Sequence, residues 1–222
     1  MMELKINFHS HTGDDPKDKI KYSAFELIDE AKKLNFDVLA ITCHYKFTHK
    51  KEYARYAKKK NILLIPGIEA KIEKKHVIIL NCDKKAEEIK TFNELKEYKK
   101  QNPRIFIIAP HPFVPNIPRV SLAKKLVRHI DLFDAIELTV FSNKFFNFNK
   151  KARLIAEKYD KPLVATSDTH YLRDLNRGYI VIDAREKTVE AILQALKQKN
   201  HKNKITPMSP LDMLKFKTMR FK

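Results

Sequence analysis

The chain has 222 residues, 43% of them hydrophobic, which is enough for one sizeable core. Its three glycines exclude a glycine-rich phosphate loop or a dinucleotide-binding turn, and with them nucleotide-cofactor and ATPase functions. Its two cysteines lack CxxC spacing and predict neither a disulfide framework nor a structural zinc site. No apolar run approaches the roughly 20 residues of a membrane-spanning helix, and no secretory leader pattern opens the chain, so we expect a soluble cytoplasmic protein.

The formal net charge of +18 indicates a strongly basic protein. Clustered Lys and Arg neutralise phosphates, so this charge favours an anionic partner such as nucleic acid. Much of the excess, however, is lysine on predicted helix faces, as at residues 58–60, and this is typical of a solvated surface. Both interpretations stay open.

Helix and strand signals alternate along the chain. Short apolar runs predict strands at 4–8, 37–42, 62–65, 76–80, 105–109, 135–138, 163–165 and 179–182. Capping signals and apolar stripes predict helices at 23–35, 48–60, 91–101, 122–130, 149–159 and 188–199. Strands alternating with helices in units of about 30 residues predict an α/β fold built on a parallel sheet.

Metal-ligand side chains follow nearly every one of these strands. They are His9, His11, His44, Glu69, His111, Asp168 and His170. Residues two apart in a strand point to the same face, so His9 with His11, and Asp168 with His170, each direct two ligand groups toward one point. A barrel gathers such residues at the carboxyl ends of its strands, whereas an open sheet concentrates its site at one switch point. We therefore predict a barrel with a metal site.

The last part of the chain differs in composition from the rest. We expect one barrel domain over residues 1–200 and a basic amphipathic tail over residues 201–222. The tail combines prolines with apolar residues among lysines, including Leu211, Met213, Leu214, Phe216, Met219 and Phe221. Either it forms a final helix docked on the barrel, or it is an arm for nucleic acid or another partner.

Five short motifs carry a family resemblance. They are Phe8-His9-Ser10-His11-Thr12, Ile41-Thr42-Cys43-His44, Pro66-Gly67-Ile68-Glu69, Ala109-Pro110-His111-Pro112 and Ser167-Asp168-Thr169-His170. In this order, over roughly residues 3–183, they resemble the motifs of the polymerase and histidinol phosphatase (PHP) superfamily. The resemblance implies a single-domain, distorted (β/α)7 TIM-like barrel. It also implies two or three divalent ions (Zn, Mn or Fe) used to hydrolyse phosphate esters by metal-activated water.

The resemblance also implies a role for each ligand. His9, His11 and Asp168 would bind the first ion, and Glu69 would bridge it to the second, which His76 and His111 complete. His44 and His170 would bind a third ion, together with Asp14 or Asp15. Catalysis is expected to depend on Glu69, Asp168 and His170. The family commonly has Asp where this chain has Cys43, so the third site is either retuned or only partly filled.

Residues near the motifs suggest how a substrate is held. Lys46 and Arg119, like Lys71 and Arg173, either bind phosphate oxygens or are surface charges, and Glu137 either lines the pocket or pairs with a lysine. We expect a phosphorylated small molecule or nucleotide as substrate and no membrane partner. The alternatives are a nuclease, favoured by the charge and by Tyr45, Phe113, Phe145 and Phe146 as stacking residues, and a non-catalytic nucleic-acid-binding or interaction subunit. The oligomeric state stays open.

Overall fold

The structure is a computed structural model of the chain, and it describes residues 1–115, 117, 119–142, 147–209 and 212. The described residues form nine strands: β1 (Met2–Asn7), β2 (Val38–Ile41), β3 (Leu63–Ile72), β4 (Lys75–Leu80), β5 (Phe106–Ala109), β6 (Ala135–Leu138), β7 (Leu163–Ala165), β8 (Gly178–Ala184) and β9 (His201–Ile205). Their α-helices are α1 (Ala24–Lys33), α2 (Lys51–Lys59), α3 (Phe92–Gln101), α4 (Lys124–Arg128), α5 (Asn149–Lys158) and α6 (Val189–Lys197). Short 3-10 helices span Lys84–Glu88, Ile130–Leu132 and Leu172–Arg177.

All nine strands belong to one sheet, in the order β7-β6-β5-β4-β3-β2-β1-β8-β9. β1, β2 and β3 pair in parallel, as do β5, β6 and β7. β4 lies between these two groups and pairs antiparallel with both neighbours. β8 and β9 extend the sheet from β1 as further antiparallel strands. The carboxyl ends of the six parallel strands therefore share one rim.

The sheet closes differently at its two ends. At the rim with the carboxyl ends, Ser10 and Thr169 form a parallel bridge, and the His11 N–H donates to the Thr169 carbonyl over 3.1 Å. At the other end, β8 and β9 fill the space between β1 and β7. There the side chain of Asn203 in β9 makes the hydrogen bonds to β7 that a neighbouring strand's backbone would otherwise make. Its Oδ1 accepts from the Ala165 N–H at 2.6 Å, and its Nδ2 donates to the Leu163 carbonyl at 2.9 Å. The predicted distorted TIM-like barrel is confirmed.

Most strand residues are buried on both faces of the sheet, and this explains their continuous apolar runs. In β5, for example, Phe106 and Ile108 join the cluster that also contains α6, whereas Ile107 and Ala109 pack with the cluster under α3 and α5. A third cluster lies under α1 and α2. The rigid layers on both faces fix the strand ends from which the site is built.

Several local predictions agree with the structure, and some differ. Both predicted capping boxes form, at the starts of α1 and α3. The predicted helix at 48–60 begins only at Lys51, and that at 122–130 is a single α-helical turn followed by a 3-10 helix. The resemblance implies seven strands, whereas the described residues form nine: six parallel strands and β4, β8 and β9, which pair antiparallel with their neighbours.

The segment expected to be a tail begins inside the sheet. Residues 201–205 form β9, and Met208 is buried against Val140 and Phe141. The apolar residues singled out at 211, 213, 214, 216, 219 and 221 lie outside the described residues, so the choice between a docked helix and an arm stays a prediction. Within the described part of the chain, no helix combines the length and apolar character needed to span a membrane.

Candidate metal centre

The candidate ligands meet at the rim where the parallel strands end. Each follows or lies in a strand: His9 and His11 after β1, His44 after β2, Glu69 in β3, His76 in β4, His111 after β5, and Asp168 and His170 after β7. All eight side chains are buried. The strand-end pattern in the sequence therefore brings these residues together in space.

Glu69 lies at the centre of the cluster. Imidazole nitrogens surround both of its carboxylate oxygens: Oε2 lies 3.0 Å from His44 Nε2, 3.5 Å from His9 Nε2 and 3.6 Å from His11 Nε2, and Oε1 lies 2.6 Å from His76 Nδ1 and 3.0 Å from His111 Nε2. One carboxylate that faces five imidazoles has the position required to bridge two cations.

Three buried atoms at this centre lie within ion-pair distance of neighbouring ligand atoms but form no hydrogen bond among the described residues. They are Oε2 of Glu69, Nε2 of His9 and Nδ1 of His76. An unsatisfied buried polar atom costs about 1–3 kcal/mol, and a cation placed among these atoms would satisfy all three. The residues present therefore fit divalent metal ions, whose preferred ligands are imidazole and carboxylate.

Asp168 completes a first group of ligands with His9 and His11. Its Oδ1 lies 3.3 Å from His9 Nε2 and 3.2 Å from His11 Nε2. Its backbone has a φ of 48°, in the left-handed region that non-glycine residues rarely adopt. The sharp turn aims the carboxylate back over the barrel mouth, and such backbone strain is concentrated at functional sites.

A second group shares the other oxygen of Glu69. Its members are His76 and His111, the residues predicted for the second ion. His76 is oriented through its other ring nitrogen, because Nε2 lies 3.1 Å from the Tyr45 hydroxyl. Tyr45 follows the candidate ligand His44 directly in sequence, so its contact with Nε2 connects His76 to His44.

The third group of candidate ligands contains His44 and His170. Three aspartates take different positions around it: Asp14, Asp15 and Asp18. Asp15 Oδ2 lies 2.8 Å from His11 Nδ1 and 2.9 Å from His44 Nδ1. Asp18 Oδ2 lies 2.9 Å from His170 Nε2 and 3.7 Å from His44 Nδ1. Asp14 instead binds Lys50 and Tyr53 outside the cluster.

The carboxylate predicted for this group is Asp14 or Asp15, and Asp18 was not predicted. No strand end or spacing pattern marks Asp18. It reaches His170 because Asp15 Oδ1 accepts the backbone N–H groups of Lys17 and Asp18, at 2.9 and 3.0 Å, and this turn directs the loop back over the site. The acidic composition of residues 14–18 was the only available signal.

Glu137 contacts a candidate ligand and not a lysine. Its side chain is fully buried, and Oε2 lies 2.9 Å from His9 Nδ1. A carboxylate behind a ligating imidazole selects the ring tautomer and holds the ring orientation. Two alternatives were open for Glu137, lining the pocket or pairing with a lysine. In the structure its Oε2 lies behind His9, at Nδ1, while Nε2 of His9 faces Glu69 and Asp168.

The predicted substrate-binding cations lie on the surface. The side chains of Lys46 and Arg119 are exposed, and neither contacts the cluster in the described part of the chain. Arg173 lies over the Tyr171 ring. Lys71, which the sequence also offered as a candidate cation, and Lys17, which it did not, both lie over the ring of Tyr45 beside the cluster.

Burial and charge set the protonation of the cluster. Burial lowers the pKa of His44 to about 3 and that of His76 to about 4, so both imidazoles are neutral and able to bind metal at neutral pH. Burial opposes ionisation of Glu69, but the surrounding imidazoles keep its pKa well below the usual range. For His9, burial acts to lower the pKa, but Asp168, Glu69 and Glu137 together raise it well above the usual value. Because a metal-binding imidazole must be neutral, a proton competes with metal at His9.

Cys43 does not add a ligand to the cluster. The thiol is buried, Sγ lies 3.6 Å from Thr12 Oγ1, and burial raises its pKa to about 11. A thiol with such a pKa is protonated at neutral pH, so Cys43 acts as a small packing residue beside His44.

Comparisons with known proteins agree with this geometry. A family model described as PHP-associated matches residues 146–200, which include Asp168 and His170. No curated protein matches the sequence of this chain.

Solved structures share the fold at low sequence identity. PsfC from Pseudomonas syringae PB-5123 has 17% identity and a TM-score of 0.74, with 100% of this chain and 99% of that chain covered. A two-domain protein from Bacteroides vulgatus ATCC 8482, described as containing a predicted PHP-like metal-dependent phosphoesterase, has 19% identity and a TM-score of 0.68, covering 96% and 68%. The lesion-specific endonuclease PfuEndoQ from Pyrococcus furiosus has 18% identity and a TM-score of 0.66, covering 94% and 60%.

The fold and the matched segment confirm the predicted resemblance to the PHP superfamily. The chain has the distorted barrel of PHP-type proteins, and it carries histidine and carboxylate clusters able to hold metal at the rim of that barrel.

Proposed function

We propose that this protein is a metal-dependent phosphoesterase that hydrolyses phosphate esters, with two or three divalent ions (Zn, Mn or Fe) held by the rim cluster. One observation carries the proposal: the carboxylate of Glu69 faces five buried imidazoles at 2.6–3.6 Å. Several of the facing atoms lie within ion-pair distance but form no hydrogen bond in the described part of the chain, as expected of ligands directed at shared ions.

The contacts support one assignment of the ligands. His9, His11 and Asp168 would hold a first ion, Glu69 would be shared, and His76 and His111 would hold a second. His44, His170 and Asp18 would form a third site, with Asp15 holding two of the imidazoles from behind. When bound, such ions act as Lewis acids that make water nucleophilic near neutral pH and offset charge on phosphoryl oxygens.

The side chains of the cluster retain the ions and orient the ligands. Glu69 and Asp168 are ionised and supply the negative charge that retains the ions, while Glu137 orients His9. His170 lies at the outer edge of the cluster, where Asp18 contacts its Nε2. We expect turnover to depend on Glu69, Asp168 and His170.

A nuclease is the second candidate. Two observations favour it: the net charge of +18 and the fold shared with a lesion-specific endonuclease. Of the aromatic residues suggested for base stacking, Tyr45 faces the site and Phe113 packs against the core, while Phe145 and Phe146 lie outside the described residues. A non-catalytic subunit is disfavoured, because a barrel without catalysis would not need this many converging ligands.

The test is hydrolysis of 4-nitrophenyl phosphate, bis(4-nitrophenyl) phosphate and a labelled oligonucleotide by protein reconstituted with Mn²⁺ or Zn²⁺. We expect monoester hydrolysis that is lost in Asp168→Asn and retained in Asp131→Asn, an exposed aspartate far from the cluster. Preference for the diester or the oligonucleotide would favour the nuclease. Metal-loaded protein that hydrolyses none of the three would contradict the proposal.

A further inference from the structure

We propose that Asp14, Lys50 and Tyr53 form a clamp that positions the carboxylate of Asp18 at the third group of candidate ligands. The clamp lies outside the cluster and acts on it through the loop that follows β1. It would therefore set how tightly the third site holds its ion. This inference rests on the proposed function and adds positioning residues to it.

The loop after β1 carries Asp18 to the cluster, and its path is fixed on two sides. On the inner side, Asp15 Oδ2 accepts the backbone N–H of His44 at 2.8 Å, and Asp15 Oδ1 accepts the N–H of Asp18 at 3.0 Å. Asp18 Oδ2 then lies 2.9 Å from His170 Nε2. On the outer side, the side chain of Asp14 points away from the cluster and contacts α2. The contacts of Asp14 therefore limit how far the loop, and Asp18 with it, can move.

Tyr53 gives this loop a rigid anchor on α2. Its ring belongs to the core cluster under α1 and α2, and only 6% of the residue is exposed. The ring of Phe25 in α1 packs edge-on against it, with a centroid distance of 5.1 Å. The Tyr53 hydroxyl donates to Asp14 Oδ2 at 2.7 Å, and a hydrogen bond to a charged acceptor is among the stronger kinds. Because the ring is held by the core, its hydroxyl fixes the position of Asp14.

Lys50, the residue before α2, completes the clamp. Its Nζ donates to Asp14 Oδ1 at 3.0 Å and to the Tyr53 hydroxyl at 2.9 Å. An exposed ion pair contributes little by itself, so the main positioning contact is the one from Tyr53. Tyr53→Phe removes this contact and retains the packing of the ring.

The same helix repeats the arrangement away from the cluster. The Tyr56 hydroxyl lies 2.9 and 3.0 Å from the two carboxylate oxygens of Asp29 in α1, and Lys60 Nζ lies 2.8 Å from Asp29 Oδ1. The Tyr56 ring also packs edge-on against Phe25, with a centroid distance of 5.1 Å. This second triad joins α2 to α1 and not to the loop. Tyr56→Phe is therefore a matched control for Tyr53→Phe.

The test is Mn²⁺ binding to chelator-stripped, full-length protein. The number of ions and the affinity for each are measured by competition with a chelator of known affinity. The variants are Tyr53→Phe and Asp14→Ala, and Asp18→Ala identifies the ion that depends on the third group. Thermal unfolding, and activation of 4-nitrophenyl phosphate hydrolysis by Mn²⁺, are followed on the same samples.

We expect Tyr53→Phe and Asp14→Ala to weaken, by about tenfold, the ion that Asp18→Ala also weakens, because a ligand that loses its support binds metal less well. Activation of hydrolysis should then need about tenfold more Mn²⁺. Tyr56→Phe should bind every ion like the wild type, even where its unfolding temperature falls as much as that of Tyr53→Phe. This contrast separates positioning from a general loss of stability.

The double variant of Tyr53→Phe with Asp18→Ala shows whether the clamp acts through Asp18. Its affinity for the third ion should be no weaker than that of Asp18→Ala alone, since residues acting through one carboxylate are not additive. Additive losses, wild-type affinity in Tyr53→Phe, or an equal loss in Tyr56→Phe would overturn the clamp. Protein that binds Mn²⁺ as expected but hydrolyses no phosphate ester would instead overturn the proposed function, while the binding data would still decide on the clamp.

Discussion

Replacement of Glu137 tests how the candidate metal ligands are held in place. This carboxylate is fully buried and contacts His9 Nδ1 at 2.9 Å, while its other oxygen, Oε1, has no hydrogen-bond partner among the described residues. The interaction with His9 is therefore its main polar role. In Glu137→Ala the imidazole loses the group that fixes its tautomer and orientation, so Nε2 is no longer held toward Glu69 and Asp168.

The size of the effect follows from this arrangement. Loss of a partner behind a ligating imidazole typically lowers metal affinity by about 10- to 100-fold. This range corresponds to about 1.4–2.7 kcal/mol of binding free energy. Glu137→Gln retains an oxygen that can accept from Nδ1–H but loses the negative charge, so we expect a loss below about tenfold.

The assay is competition for Mn²⁺ or Zn²⁺ against a chelator of known affinity, together with circular dichroism and thermal unfolding of the metal-free proteins. Glu97→Ala, which removes an exposed glutamate on α3, is the control for a change in net charge. An Ala variant at position 137 that is folded and binds every equivalent of metal as tightly as the wild type would refute the positioning role of this carboxylate.

Two further predictions concern stability. First, the pKa values of His44 and His76 are lowered to about 3 and about 4, so between pH 6.5 and about 4 the unfolded chain binds protons that the folded protein does not. The unfolding free energy of the metal-free protein, measured in urea, should therefore fall as the pH falls through this window, and His44→Gln should flatten that dependence; an unchanged slope would contradict it. Second, Asn203→Ala should lower the unfolding free energy by about 1 kcal/mol, because the Ala165 N–H of β7 loses its partner and the Leu163 carbonyl keeps only its contact with His201 Nε2. Lys204→Ala, on the same strand, should have no such effect in the same urea series, and equal losses in both variants would argue against side-chain closure of the barrel.

The sequence predicted the central strands because their burial on both faces requires continuous apolar residues. The run at 105–109, for example, corresponds closely to β5. The direction of β4 could not be predicted in this way, since an apolar run looks the same in parallel and antiparallel pairs. β9, with the sequence His-Lys-Asn-Lys-Ile, was assigned to a tail because it has one apolar residue and joins the sheet at its edge.

The same contrast applies to the site. His9, His11, Asp168 and His170 were predictable, because the two-residue spacing at strand ends has a geometric meaning. Asp18 and Lys17 were not, since they reach the cluster through a loop whose path depends on the hydrogen bonds of Asp15. Glu137 was noticed at a strand end, but its role depends on which ring nitrogen it contacts, and only the folded arrangement reveals that.

The most direct test of the account is a metal titration of chelator-stripped protein, with bound metal and phosphate-ester hydrolysis measured on the same samples. Hydrolysis should appear as the cluster binds stoichiometric Mn²⁺ or Zn²⁺, and Glu69→Gln should lose both metal and hydrolysis while retaining the circular dichroism of the wild type. Hydrolysis that is independent of metal, or a Glu69→Gln variant that binds metal and turns over like the wild type, would contradict a centre built on this carboxylate.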